Sequence, residues 1–375
     1  MDTPLEGLKV VELARILAGP LIGQTLADLG AEVVKIEGYQ GDDTRKWGPP
    51  FIEKDGEQSA AYFHAANRGK SSMTVDFNCK EEVQELIALI KEADILVENF
   101  KVGGLKKFGL DFETLHKINP RLVYCSVTGF GQTGPYAQRA GYDFMIQGMS
   151  GIMDLTGEPD GDPQKVGVAF ADITTGLYGV IGILSAVRER EASGLGQQID
   201  MSLFDCMTSA LVNQAMNYLA SGVSPKRLGN AHPNIVPYQN FPTSDGQIII
   251  ACGNDSQFVK LCAVLEHDDL TSDKKFSTNP ARVENREELV DILRVTTRKF
   301  TKAELLDALE EVGVPAGPIN SVAEALNDPQ LLHREMLIEP EGIPGLRTPI
   351  SFSRSKLKLE TASPKLGKHA QDHQN

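Results

Sequence analysis

Residues 8–36 read LKVVELARILAGPLIGQTLADLGAEVVKI, two short β-branched runs on either side of a helical pattern. The run Leu8–Leu13 predicts a buried strand. Gly19 and Pro20 then interrupt the chain, and apolar residues follow at helical spacing, which predicts a helix. Glu32–Ile36 predicts the next strand. This stretch is therefore typical of a strand, a helix and a second, parallel strand.

The same alternation continues along the first half of the chain. Apolar residues at helical spacing over 83–90 precede the predicted strand Ile95–Glu98, and another strand is predicted at Leu122–Ser126. Alternating strands and helices indicate a parallel sheet with helices on its faces. The turn after the first strand, residues 14–20, reads ARILAGP and lacks the glycine-rich dinucleotide fingerprint. A nicotinamide-dependent dehydrogenase is therefore disfavoured.

The composition changes after residue 220. Residues 221–245 are rich in Pro, Gly, Asn and Ser, which predicts a long connection. Beyond it, Gly246–Cys252 predicts a strand and Gln257–Leu265 a short helix. Thr301 and Glu304 form a capping-box pattern ahead of a further apolar helix. These elements indicate a smaller α+β lobe.

Charge and cysteine usage exclude several classes of protein. The net charge of −14 over 375 residues opposes a nucleic-acid-binding function, because phosphate neutralisation needs a surplus of Lys and Arg. The five cysteines include no C-x-x-C pair, so we expect reduced thiols, no zinc site and a cytoplasmic location. The N-terminus has no secretory signal pattern. The apolar stretch Val166–Val187 is interrupted by Asp172, Thr174 and Thr175, which favours a buried core helix over a membrane span.

Asp172 stands out as a carboxylate directly before a predicted apolar helix, Leu177–Val187. It could be an N-cap that accepts the free N–H groups of the helix. Alternatively, it could be a carboxylate kept ionised by those donors in an apolar pocket, where it would attack a thioester carbonyl. The local sequence leaves both interpretations open.

From residue 4 to residue 369 the chain resembles the class III CoA-transferases, the CaiB/BaiF or formyl-CoA transferase-like family. The motifs that carry the resemblance are LAGP at 17–20, DLGAEVVKIE at 28–37, GDDTR at 41–45, VENF at 97–100, INPR at 118–121, GVP at 313–315 and PKLGKH at 364–369, together with the segment around Asp172. The resemblance implies that Asp172 is the nucleophile. It also implies transfer of CoA from an acyl-CoA such as succinyl- or acetyl-CoA to a small carboxylic acid, through an aspartyl-CoA thioester and without a metal.

The resemblance also implies contacts to CoA. They fall on Leu17, Ala18, Val75, Asp76, Asn99, Phe100, Lys107, Arg139 and Tyr142. Alternatively, Val75 and Phe100 could be core residues and Lys107 a solvated surface charge. Gly38 stands where formyl-CoA transferases have a basic residue, so that contact is either missing or supplied by Arg45 or Arg68.

Two further positions refine the implied reaction. Tyr142 replaces the histidine base of the related acyl-CoA racemases, and an unperturbed Tyr, with a pKa of about 10, is a poor base at neutral pH. Residues 227–233, RLGNAHP, resemble a segment of transferases that use dicarboxylates. His232 could donate a hydrogen bond to the acceptor's remote carboxylate, or it could only shape a turn. An acyl-CoA racemase and a non-catalytic CoA-binding protein remain the alternatives to a transferase.

The architecture implied by the resemblance is α/β: a large Rossmann-like parallel-sheet domain plus a smaller α+β domain, in an interlocked homodimer. The expected boundaries are 1–205 for the large CoA-binding domain, 206–235 for a linker, 236–325 for the small domain and 326–375 for a C-terminal segment that returns to the large domain. The expected partners are acyl-CoA and small carboxylic acids, with neither nucleic acid nor membrane.

Overall fold

A computed structural model describes residues 2–54 and 56–367 of the protein, so Lys368 and His369 of the last family motif lie outside the described residues. The described strands, in chain order, are β1 (Lys9–Leu13), β2 (Glu32–Glu37), β3 (Phe51–Lys54), β4 (Glu57–Ala60), β5 (Lys70–Thr74), β6 (Ile95–Glu98), β7 (Val123–Thr128), β8 (Gln198–Ser202), β9 (Tyr238–Thr243), β10 (Gly246–Ala251), β11 (Ala316–Pro318), β12 (Leu337–Ile338) and β13 (Gly345–Leu346).

The described α-helices are α1 (Ala18–Asp28), α2 (Ala61–His64), α3 (Lys80–Lys91), α4 (Phe112–Ile118), α5 (Asp143–Met149), α6 (Ile152–Leu155), α7 (Phe170–Ser193), α8 (Leu203–Ser209), α9 (Val212–Ser221), α10 (Asp255–Val264), α11 (Asp268–Ser272), α12 (Asn279–Glu284), α13 (Arg286–Thr297), α14 (Lys302–Val312), α15 (Val322–Leu326) and α16 (Pro329–His333). Short 3₁₀ turns lie at Asp43–Lys46, Lys106–Phe108 and Pro340–Gly342.

The main sheet has six strands in the order β5-β2-β1-β6-β7-β8, and every neighbouring pair is parallel. The parallel sheet predicted from alternating strands and helices is therefore confirmed. The chain adds β2 and β5 on one side of β1 and then returns to place β6 on the other side. The strand order thus reverses between β1 and β6, and such a reversal leaves a crevice at the carboxyl ends of the two strands.

Each face of this sheet carries its own apolar core. Successive strand residues point to opposite faces, so Val10 packs in one core with α1 and α7, while Val11 packs in the other. The first core includes Ile22 of α1 and Ile183 of α7, and the second includes Leu86 of α3. Helices on both faces explain why the central strands β6 and β7 are buried along nearly their whole length.

Helix α7 is longer than the sequence predicted. It begins at Phe170, ahead of the expected start at Leu177, and ends at Ser193 before a left-handed Gly194. By length and composition it could cross a membrane, although the core helix of a soluble protein passes the same test. In the structure it packs against α1, α5 and α8 and against β7 and β8.

The described residues form two compact units, one from 2–54, 56–152, 165–220 and 329–367, the other from 153–164 and 221–328. The second unit contains the antiparallel sheet β11-β10-β9 and its own apolar core. The capping box at Thr301 and Glu304 is confirmed. The prediction that 221–245 is all connection was wrong, because β9 lies within it. Pro242 and the polar residues around it are not typical of a strand. Alternate side chains of β9 are nevertheless buried, because the strand pairs with β10.

Residues 329–367 belong to the first unit, and contacts with the N-terminal part hold them there. Asp28, at the end of α1, accepts a 2.7 Å hydrogen bond from Thr348 Oγ1 and pairs with Arg68 at 2.6 Å. Arg68 also donates to the Leu346 carbonyl, and Arg45 donates to the carbonyl of Pro364. The domain boundaries expected from the sequence remain predictions.

A group of buried charges joins three neighbouring strands of the sheet, β1, β2 and β5. The ammonium nitrogen of Lys35 on β2 lies 3.1 Å from the Glu12 carboxylate on β1 and 3.0 Å from that of Asp42, which follows β2. Lys70 of β5 lies 2.8 Å from the other Glu12 oxygen, and all three of these pairs are fully buried. Gly23 makes room for the group, since a Cβ there would lie 1.8 Å from Glu12 Oε2.

Replacing Lys35 with Met should destabilise the protein by about 3–5 kcal/mol, because two carboxylates would lose a buried partner. Denaturant unfolding followed by circular dichroism measures the change. The control is Arg121→Met, which breaks an ion pair with Glu191 whose side chains are 54% and 59% exposed and should cost at most about 1 kcal/mol. Equal losses of unfolding free energy in the two variants would mean that the buried charges stabilise the protein no more than an exposed ion pair does.

Candidate active site

A cavity of about 570 Å³ lies in the first unit at the point where the strand order reverses. Its walls come from the segments that follow β1, β6 and β7, together with the residues before α5 and the start of α7. The polar and charged residues that line it are Arg15, Asp43, Asn99, Lys101, Lys107, Thr128, Gln138, Arg139, Tyr142, Asp143 and Asp172. The cavity therefore combines a basic wall with a small group of carboxylates.

The loop after β1 is held in a strained conformation. Ile16 has a φ of +71°, a left-handed backbone value that is costly for a β-branched residue. Asn99 fixes the loop from the end of β6, because its amide accepts from the Arg15 N–H at 2.9 Å and donates to the Arg15 carbonyl at 2.7 Å. Asp42 of the buried charge group accepts the Ile16 N–H at 3.3 Å. The strain is thus maintained by contacts from two sides.

Two glycines bring the chain after β7 against the segment that leads into α5. A Cβ on Gly141 would lie 2.3 Å from the Gly129 Cα, and one on Gly129 would lie 2.5 Å from the Gly141 Cα. Neither position can carry a side chain without moving the backbone. This contact sets the place of Tyr142 and Asp143, which follow directly and line the cavity.

Asp172 lies in the first turn of α7, as the third helical residue, and is partly buried. It is therefore not the N-cap that one interpretation of the sequence expected. The N–H groups of Ala171 and of Asp172 itself both donate to Asp143 Oδ1, at 2.8 and 3.4 Å. Among residues 2–54 and 56–367, none donates a hydrogen bond to the Asp172 carboxylate, whose oxygens are left to the cavity.

The electrostatic surroundings of Asp172 differ from those expected from the sequence. Burial, and then the charge of Asp143, raise the pKa of Asp172 to about 7. The expectation that backbone donors hold Asp172 ionised was wrong, because those donors bind Asp143 instead. A carboxylate with so high a pKa and so few partners is a stronger nucleophile than an ordinary aspartate when it is ionised.

The residues expected to contact CoA divide into two groups. Those that line the cavity are Leu17, Ala18, Asn99, Phe100, Lys107, Arg139 and Tyr142. Val75 is fully buried in the apolar core of one sheet face, and Asp76 accepts hydrogen bonds from Asn78 next to α3. Phe77, which directly follows them, does line the cavity and packs against Phe100 with 5.8 Å between ring centroids.

Basic side chains on the cavity wall include two that the sequence interpretation missed, Arg15 and Lys101. Lys101 directly follows the predicted contact Phe100, and Arg15 lies two residues before Leu17; this proximity in the chain is the only sequence signal for either. Lys107 lies over the Phe108 ring and Arg139 over the Tyr136 ring, at 4.5 and 4.0 Å from the centroids.

Arg45 and Arg68 are not available to replace the basic residue lost at Gly38. Arg45 binds Glu37 through two nitrogens, and Arg68 binds Asp28 through two nitrogens. Each guanidinium therefore serves to hold the first unit together rather than to receive a ligand.

His232 lies in the second unit, in the turn before β9. Its Nδ1 accepts the N–H of Asn234 at 3.1 Å, so the ring proton belongs on Nε2, which is then able to donate. Burial, and then the positive charge of Arg286, lower the pKa of His232. The ring therefore closes a turn and at the same time keeps one N–H free in its neutral form.

All five cysteines are free thiols. Within the part of the chain that the structure describes, no group of three or more His, Cys, Asp or Glu side chains is placed to hold a metal ion. The metal-free reaction implied by the resemblance stays a prediction.

The model of CoA-transferase family III matches residues 5–370. The chain belongs to this family. It is thus a CoA-transferase, as the sequence motifs indicated.

Similar proteins extend over nearly the whole transferase. A succinate–glutarate CoA-transferase of Agrobacterium fabrum is 53% identical over 374 residues, covering 98% of this chain and 94% of that protein. A succinyl-CoA:glutarate CoA-transferase of Mus musculus is 40% identical, with 98% and 84% covered. A crystal structure of a CaiB/BaiF family protein from Brucella suis is 63% identical, covers 98% of both chains and has a TM-score of 0.89.

The raised pKa of Asp172 predicts an acid limb in the activity of the transferase. Because the protonated carboxyl cannot attack, kcat/KM for acyl-CoA should rise as the pH increases through about 7, where Asp172 loses its proton, and then level off. Well below that value it should fall roughly tenfold per pH unit. Initial rates between pH 5 and 9 measure the profile. A plateau that extends down to about pH 5 would mean that Asp172 titrates as an ordinary aspartate.

Proposed function

We propose that this transferase moves CoA from succinyl-CoA to a small dicarboxylic acid such as glutarate, with Asp172 as the nucleophile. The observation that carries the proposal is the Asp172 carboxylate, which no described residue binds and which faces the cavity. The substrates are inferred from the printed names of two relatives, at 53% and 40% identity.

The proposed reaction has four steps on one carboxylate. Asp172 attacks the thioester carbonyl of succinyl-CoA and forms a mixed anhydride while the CoA thiolate leaves. The thiolate then attacks the aspartyl carbonyl of the anhydride, which gives an aspartyl-CoA thioester and free succinate. The acceptor carboxylate attacks this thioester, forms a second mixed anhydride with Asp172 and releases the thiolate again. The thiolate finally attacks the acceptor's carbonyl in that anhydride, which gives the acceptor's CoA thioester and frees the Asp172 carboxylate. Water must be excluded, since hydrolysis of the anhydride would stop the transfer before the acceptor reacts.

We infer that the basic wall of the cavity receives the phosphates of CoA. Arg15, Lys101, Lys107 and Arg139 line it, although the whole chain carries a charge of −14. A local basic surface attracts an anionic substrate whatever the net charge of the protein. The aromatic rings of Phe77 and Phe100 supply apolar surface within the same cavity.

We infer that His232 recognises the remote carboxylate of the acceptor through its Nε2–H. Arg286 supports this role, because its guanidinium donates to the Pro233 carbonyl at 3.0 Å and places a positive charge beside the histidine. A neutral donor next to a cation suits a carboxylate ligand.

We further propose that the transferase is a homodimer and works in the cytoplasm. Leu177, Tyr178 and Ile181 form an apolar patch on α7 and are between 47% and 58% exposed. Met216 and Leu219 of α9 are also exposed, at 60% and 71%. Apolar surface of this kind is typical of a subunit interface.

Replacing Asp172 with Ala or Asn should abolish transfer, and replacing it with Glu should strongly reduce it. Ala removes the nucleophile, Asn keeps the shape but not the nucleophilicity, and Glu displaces the attacking oxygen by about 1 Å, which costs on the order of 10²-fold. Incubation of the native enzyme with acyl-CoA and hydroxylamine should leave a hydroxamate on the peptide that contains Asp172. Mass spectrometry locates it.

The matched control is Asp205→Asn, since Asp205 is also the third residue of a helix but is exposed and does not line the cavity. This variant should keep full activity, and all Asp172 variants should keep CoA binding and native mass. An Asp172→Ala enzyme that still transfers CoA, or an unmodified Asp172 peptide during turnover, would show that the nucleophile is another group.

His232→Ala should raise the acceptor KM far more than the donor KM, because one hydrogen bond to a carboxylate is worth roughly 1.5–3 kcal/mol. His232→Asn separates the two roles of the ring. Its side-chain oxygen can still accept the Asn234 N–H and close the turn, but it has no donor where Nε2 lies. A raised KM for glutarate in both variants, measured by steady-state kinetics, supports recognition of the acceptor carboxylate by His232. Normal acceptor kinetics in the Asn variant would assign His232 to the turn alone.

A further inference from the structure

The N-terminus of α7 is capped by another helix. Ala169, which precedes α7, offers no side-chain hydrogen bond to it. Instead, the N–H groups of Ala171 and Asp172 converge on one oxygen of Asp143, the first residue of α5, at 2.8 and 3.4 Å. A carboxylate at a helix N-terminus is favourable for both the free donors and the helix dipole. Asp143 thus performs for α7 what an N-cap residue performs within one helix.

The second oxygen of Asp143 extends this connection. It accepts from Gln147 Nε2 at 2.8 Å, one turn further along α5. Gln147 is fully buried, accepts the Val166 N–H at 2.9 Å and also donates to the Val168 carbonyl at 3.3 Å. We call Asp143 and Gln147 the α5 clamp. It fixes both the segment that leads to Asp172 and the helical turn that carries it.

We propose that Asp143 is a positioning residue for the nucleophile, an inference that rests on the proposed role of Asp172. By filling the donors of the first turn, it keeps the Asp172 carboxylate from folding back onto its own helix and leaves both oxygens for the thioester carbonyl. Its negative charge also disfavours the ionised form of Asp172. Because Asp172 is uncharged once acylated, the same charge favours the covalent intermediates.

The electrostatics of the cavity agree with this geometry. The charge of Asp143 is the second cause, after burial, of the raised pKa of Asp172. Burial, and then the charge of Asp172, raise the pKa of Tyr62. The other titratable groups on the cavity wall are Arg15, Asp43, Lys101, Lys107, Arg139 and Tyr142. Removing the Asp143 charge should therefore move the titration of Asp172 to lower pH.

Two substitutions separate the hydrogen bonds of Asp143 from its charge. Asp143→Ala removes both, and we expect kcat to fall on the order of 10²-fold, as for a misplacement of about 1 Å, with little change in the KM for acyl-CoA. Asp143→Asn keeps an oxygen for the Ala171 N–H but loses the charge. It should regain part of the lost kcat and shift the acid limb of the pH profile downward.

The matched control is Asp111→Ala in the same unit. Asp111 caps α4 by accepting from the N–H and hydroxyl of Thr114, at 3.3 and 2.8 Å, and does not line the cavity. The Asp111→Ala variant should lose about as much stability as Asp143→Ala, without a change in kcat or in the pH profile. A merely structural function of Asp143 would make the Asp143 and Asp111 variants behave alike.

Hydroxylamine trapping distinguishes failure of this inference from failure of the proposed function. If the native enzyme is not labelled at Asp172, the nucleophile is wrong. If the native enzyme is labelled and Asp143→Ala is labelled equally fast, only the positioning role is wrong. Slower labelling of a folded, CoA-binding Asp143→Ala variant supports it. Should the Ala variant not fold, an acid limb in Asp143→Asn that stays at the native pH overturns the proposal, and a downward shift supports it.

Discussion

The ion group around Lys35 is the constraint on which the cavity depends. A charge removed from water is stable only while its partners stay in fixed positions, and Lys35 Nζ has three of them: Glu12, Asp42 and the Ala14 carbonyl. Burial opposes the charge, but the carboxylates of Glu12 and Asp42 hold the pKa of Lys35 above its usual value. These contacts therefore tie the loops after β1 and β2 to each other and to the two strands. The strained backbone at Ile16 persists because Asp42, already fixed by Lys35, receives its N–H.

The two carboxylates beside the cavity show how environment gives identical side chains different electrostatic properties. Asp143 accepts backbone and amide donors through both oxygens, which satisfies its charge locally. The N–H groups of Ala171 and Asp172 donate to Asp143 rather than to the Asp172 carboxylate, and burial disfavours the ionised form of Asp172. One aspartate is thus saturated with donors and fixed, while the other is poorly solvated and has a raised pKa, a pattern that recurs where enzymes tune paired carboxylates.

The sequence predicts those features that depend on neighbouring residues. Strands such as Ile95–Glu98 were found from their composition because both faces of the sheet are covered, and the capping box at Thr301 was found from a spacing of three residues. The family motifs predict Asp172 as the nucleophile, which stays a prediction. The cap supplied by Asp143 escaped prediction because it joins residues 28 and 29 positions apart, and no local pattern encodes that distance. Strand β9 escaped because its burial comes from pairing with β10 rather than from its own composition.

The return of residues 329–367 to the first unit has a consequence for biosynthesis. Asp28 and Arg68 are made early, yet two of their partners, Thr348 and the Leu346 carbonyl, come near the end of the described chain. During translation the first unit must wait for these late partners, while residues 221–328, which form most of the second unit, are synthesised as one stretch and can fold as they leave the ribosome. The small unit is thus expected to fold first on the nascent chain, and the sheet that carries the cavity to close only once the last segment has emerged.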